Sequence, residues 1–277
     1  EEQSMLNIIK MDLLRMKKSK STFVTLLILV MMIVFTIYIF KIESEGAFGE
    51  YTQEQMQQED NNQNLEITMS LEESGLNAAN VILAMFNSGT MLLFTGIFVV
   101  IFVMAESSTG FIKNIASSVR HRWYLIISKN IVLAVYVLVE AVLVLGISNI
   151  CCKLFLPETA VGYLKAFWVA LGLQYLLHVG FVFLGICLAT ITNSKVLGII
   201  LCICLSSGMG TMLISYVDQL LESANVKVSK YLLTSNVTSL TEQSANVVMW
   251  RILLVVFGAF VVYNVISSIV VEKRDIR

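Results

Sequence analysis

The chain has 277 residues, of which 57% are hydrophobic and 14% charged, with one proline and a mean hydropathy of +0.78. Soluble domains carry roughly one-quarter charged residues, so a water-soluble fold is excluded. The 19 basic and 20 acidic residues nearly cancel, and only their placement is informative. No HExxH, GxSxG or Walker lysine loop occurs, and the two histidines are His121 and His178, so no enzyme signature is present. A catalytic residue, a metal site and a nucleic-acid partner are not expected.

At the N-terminal end, MLNIIKMDLLRMKKSKS places Leu6, Ile9, Leu13 and Met16 near one face, with Lys10 and Lys17 toward another. This predicts a helix lying in the headgroup layer before the chain enters the membrane. A hydrocarbon core of ~30 Å needs about twenty apolar helical residues. Six stretches qualify: about 22–40, 83–105, 126–150, 166–191, 196–217 and 248–271. The expected fold class is all-α, a single polytopic membrane domain over 1–277 with six transmembrane helices. The first stretch is longer than a signal h-region and lacks a small-residue cleavage site, so it is expected to stay as an anchor.

Between the first two spans, residues 42–82 hold nine acids and no lysine or arginine. Basic residues resist translocation. With the N-terminus inside, thirteen of the nineteen basic residues fall on the cytoplasmic side, which predicts cytoplasmic termini and an external 42–82. That external loop is too polar to form its own core.

The loop ESSTGFIKNIASSVRHRWYLIISK (106–129) starts at Glu106, which ends span two. A short helix around Phe111, Ile112 and Ile115 would present an apolar knob flanked by Lys113, Arg120 and Arg122, and such a knob needs a partner or the headgroup layer. Spans three and four carry Glu140, Gln174 and His178 at mid-depth. A charge there costs ~2.5–3.5 kcal/mol on insertion scales, so such groups face protein or water. Glu140 is expected to meet His178 or Gln174, as interhelical glue or as a cavity lining. Cys151, Cys152, Cys187, Cys202 and Cys204 read as small apolar side chains. A short turn, Thr192, Asn193, Ser194 and Lys195, joins spans four and five. Span five gathers Ser206, Ser207, Gly208, Gly210 and Thr211, with Ser206 and Gly210 at small-xxx-small spacing suited to close packing or to a path lining.

The acidic end of span two, the glycine, the I-K-N helix, the serine spacer, the LIISK segment and the two basic ends together resemble the ABC-2 type transporter permeases. The similarity runs over most of the chain and includes the small exporters of antimicrobial or cytolytic peptides, of the phenol-soluble-modulin and lantibiotic-immunity types. It implies a coupling helix containing Thr109, Gly110, Phe111, Ile112, Lys113 and Asn114 that docks in a cytoplasmic ABC ATPase subunit. It implies a second contact at Thr192–Lys195 and an elbow helix from Leu6 to Arg15. It also implies two ATPase copies that bind ATP and magnesium, and a second permease subunit, identical or not, meeting this one along spans two and five. The expected location is the bacterial plasma membrane and the expected cargo an amphipathic peptide. An ion-coupled transporter or channel using Glu140 and His178, and a non-transporting immunity protein, remain the alternatives.

Overall fold

A computed structural model describes residues 2–44, 78–108, 123–156, 163–220 and 228–273. Among these the chain is helical throughout, without strands. The helices are α1 (Glu2–Lys18), α2 (Lys20–Ser44), α3 (Ala78–Asn87), α4 (Thr90–Ser108), α5 (Trp123–Phe155) and α6 (Lys165–Thr192). They continue as α7 (Lys195–Ser206), α8 (Met209–Leu220), a 3-10 turn (Val228–Tyr231), α9 (Leu233–Ser239) and α10 (Ala245–Lys273).

Four helices, α2, α5, α6 and α10, are each long and apolar enough to cross a bilayer. The α3–α4 and α7–α8 pairs pass the same test only jointly, because they bend by 41° and 59° at short breaks. The chain therefore has four candidate spans, or six if each bent pair is one crossing. The breaks have a local cause. Gly89 and Gly208 adopt φ of +71° and +83°, a left-handed geometry that stops a helix and that side chains with a Cβ resist. Hydropathy is insensitive to such a break, so the uninterrupted stretches 83–105 and 196–217 expected from sequence are each two helices.

α6 is the central post, with α10, α4, α5 and α7 packed around it. Phe98, Tyr136, Phe167 and Phe181 are fully buried in this core. α4 and α7 run antiparallel at short range. A Cβ on Gly198 would come within 2.8 Å of Val100, and one on Gly96 within 2.9 Å of the Cys202 Cβ. By contrast, Phe23, Leu27, Met31 and Phe35 on α2 and Trp250, Leu254 and Phe257 on α10 are exposed, as expected of surfaces solvated by lipid rather than water. Phe183 on α6 meets Phe260 on α10 edge-on, with centroids 5.2 Å apart.

The turn between α6 and α7 forms where the sequence places it. Asn193, at φ 48°, closes α6 by donating its N–H to the Ala189 carbonyl, the usual left-handed helix stop. Ser194 then caps α7 by accepting from the Leu197 N–H at 3.4 Å.

Candidate functional site

Among the described residues, a dense polar cluster joins α1, the end of α4 and the start of α5. Asp12, Glu106 and Lys129 are 2%, 5% and 7% exposed, a depth at which charges require partners. Lys129 Nζ lies 2.6 Å from Glu106 Oε2. Arg15 Nη1 donates to Glu106 Oε1, Arg15 Nη2 donates to the Phe102 carbonyl at 3.1 Å, and the guanidinium lies 4.1 Å from the centre of the Phe102 ring. Ser128 Oγ donates to Asp12 Oδ2 at 2.7 Å, and Asp12 Oδ1 sits 3.6 Å from Arg15 Nη1. Two acids and two bases balance. Burial, and then the neighbouring Glu106 charge, push the Asp12 carboxyl above its ordinary value; the Ser128 hydrogen bond, Arg15 and Lys129 oppose that rise.

Glu106 and Lys129 flank residues 109–122 in sequence, so this network ties α4 and α5 to each other and both to α1. The residues expected to form the coupling helix, Thr109, Gly110, Phe111, Ile112, Lys113 and Asn114, lie outside the described residues. Of the second expected contact, Asn193 and Lys195 are exposed and Thr192 and Ser194 half-buried.

The N-terminal helix forms as expected, but its buried face is rotated. Ile8, Asp12 and Met16, spaced by four, are buried on the side of α1 that packs against α5, while Ile9 and Leu13 flank them half-buried. Leu6 is 55% exposed and does not share that face. Sequence reasoning missed Asp12 and Arg15 because both looked like polar residues on an interfacial helix. The available signal was an acid in register with apolar residues at i−4 and i+4.

Glu140 is fully buried, but it meets neither His178 nor Gln174. Thr95 Oγ1 donates to Glu140 Oε2 at 2.5 Å, linking α4 and α5. One turn back, the Tyr136 hydroxyl bonds Thr25 Oγ1 at 3.0 Å and its ring stacks on Phe98, with centroids 3.8 Å apart. Gln174 instead donates to Asn87 Oδ1 and, at 2.9 Å, to the Val237 carbonyl. His178 Nδ1 donates to the Gln174 carbonyl at 2.8 Å, since a carbonyl only accepts, and Nε2 has no hydrogen-bond partner among the described residues. These buried polar residues thus form two separate clusters, with Gln174 tying the α3–α4 break to α9.

The span-five residues flank the other break. Ser206 ends α7, Gly208 supplies the positive φ, and Gly210 and Thr211 lie in the first turn of α8, which begins at Met209. Ser206 and Gly210 are therefore not on one continuous helical face, and the small-xxx-small spacing does not operate across them. The two breaks meet instead: a Cβ on Gly89 would lie 2.6 Å from the Ser206 carbonyl oxygen. The backbone at the Gly89 break thus packs directly against the end of α7.

Among the described residues no group of three or more His, Cys, Asp or Glu side chains is arranged to hold a metal ion. No protein-family model matches the chain, and no curated protein does.

Proposed function

We propose that the chain is the membrane-spanning permease subunit of an ATP-driven exporter of the ABC-2 type, moving an amphipathic substrate, a peptide toxin or antimicrobial peptide, out of a bacterial cell. The observation that carries this reading is the Asp12–Arg15–Glu106–Lys129 network. An external motor acts on helices it is not covalently joined to only through a rigid element, because packed elements move as bodies between discrete arrangements. The network makes the base of the 109–122 loop such an element. It cross-braces both supporting helices and fastens them to α1, so a push at Phe111 reaches α4, α5 and α1 together.

In this reading the loop, the Thr192–Lys195 turn and both termini are cytoplasmic, following the lysine and arginine distribution. Two ATPase subunits hold ATP and magnesium, and a second permease, the same chain or a relative, completes the path. The paired breaks at Gly89 and Ser206 supply the element that changes shape, being the places where spans two and five already lack continuous helix. An ion-coupled mechanism through Glu140 and His178 has less support, because these groups sit in separate clusters. Reconstitution with the ATPase partner tests the proposal. Phe111→Asp is expected to abolish ATP-driven transport while leaving the bundle folded. Undiminished transport in that variant, or transport driven by an ion gradient without ATP, refutes it.

A further inference from the structure

α1 carries a second surface that the network does not use. At 100° per residue, Leu6, Lys10, Leu14, Lys17 and Lys18 fall within about one third of the helix circumference, on the side away from Ile8, Asp12 and Met16. All five are exposed, Leu6 and Leu14 by 55% and 58%, and Lys20, just past the Ser19 break, is exposed as well. Over residues 5–20 the sole acid is Asp12, which is buried on the opposite face. The free arc is thus basic and apolar at once, with leucines interleaved among lysines rather than set apart from them.

We infer that this arc is a binding site for the headgroups of anionic phospholipids. Water would leave Leu6 and Leu14 unfavourably solvated, whereas the headgroup layer supplies acyl edge for the leucines and phosphate for the ammonium groups, with lysine stems lying along the boundary. The charge selects the lipid: each lysine near an anionic leaflet gains attraction that a zwitterionic leaflet does not offer. Because the other face of α1 holds Arg15 and Asp12 against Glu106 and Ser128, a lipid that binds the seated helix stabilises the seat by linkage. The bilayer's anionic content thereby sets how firmly the loop base is braced.

The test uses the full chain in nanodiscs, with hydrogen exchange of the α1 amides read by mass spectrometry as phosphatidylglycerol replaces phosphatidylcholine. Protection of α1 is expected to rise by about tenfold or more and to fall again with added salt, while α6 is unchanged. The variant carrying Lys10→Gln, Lys17→Gln, Lys18→Gln and Lys20→Gln is expected to lose that rise yet keep the α6 protection of the parent chain, which shows that it is folded. Three outcomes overturn the inference: protection independent of phosphatidylglycerol, an undiminished rise in the lysine variant, or an equal effect of inorganic phosphate on phosphatidylcholine discs. Protection of α1 that appears only on adding a purified ATPase would likewise overturn it, by assigning the arc to a protein partner. The lipid comparison itself is made without ATPase or cargo, so its result is independent of the exporter proposal.

Discussion

Replacing Glu106 with glutamine keeps the side chain's size and removes the charge that both Lys129 and Arg15 use. The two bases do not lose equally. Arg15 has a side chain 26% exposed and retains Asp12 and the Phe102 carbonyl, so water and other partners screen its loss. Lys129 is 7% exposed and its ion-pair partner is Glu106, at 2.6 Å. Removing one member of a buried pair costs about 3–5 kcal/mol because the other charge is left uncompensated. The amide oxygen of glutamine still accepts from Nζ, which places the expectation for Glu106→Gln near ~3 kcal/mol. Adding Lys129→Met removes the stranded charge, so the double variant is expected to recover most of the loss, with a coupling energy of about 2–3 kcal/mol. Denaturant unfolding in detergent, followed by intrinsic tryptophan fluorescence, measures all four corners of the cycle. A loss below ~1 kcal/mol for Glu106→Gln, or additive losses in the double variant, would refute the claim that this network braces the loop base.

Gly89→Ala would place a methyl 2.6 Å from the Ser206 carbonyl oxygen at φ +71°. The left-handed strain of about 1–2 kcal/mol and the clash together are expected to destabilise the chain by ~2–4 kcal/mol, read by the same unfolding assay; a neutral result would mean that the breaks do not abut. Asp12 has its folded pKa raised above the ordinary 3.8, so its contribution to stability is full below about pH 4 and declines as pH climbs through the raised value. Asp12→Asn is expected to flatten that decline, so its stability relative to the parent chain increases as pH rises above about 4; parallel profiles would contradict the assignment. Glu140→Gln keeps an acceptor for Thr95 and is expected to change stability by no more than ~1 kcal/mol and to leave transport intact. Abolished transport with normal folding would give Glu140 a functional rather than a packing role.

Among the described residues hydropathy locates the long apolar helices, because lipid-facing and core-facing residues are both apolar and the runs stand out from the charged segments between them. The same uniformity hid the breaks, since Gly89 and Gly208 differ from neighbouring residues in backbone angle rather than in hydrophobicity. The Thr192–Lys195 turn was readable because asparagine tolerates positive φ and serine caps a helix, both local preferences. Partnerships were not readable. Glu106 pairs with Arg15 across 91 positions, and Glu140 with Thr95 across 45. Which of several intramembrane polar groups meet depends on helix rotation, and periodicity in an all-apolar helix fixes that weakly. The rotation of α1 shows the same effect: its apolar stripe was visible, but the acid inside it marked the true buried face.

The central claim is that a separate ATP-hydrolysing chain grips the loop between α4 and α5. Isolating the chain from its membrane in mild detergent, with and without Phe111→Asp, and weighing the intact assembly by native mass spectrometry tests it directly. The account predicts a nucleotide-binding subunit at one copy per permease in the parent assembly, lost in the variant. A parent assembly that carries no nucleotide-binding subunit, or one whose subunit Phe111→Asp leaves in place, would contradict it.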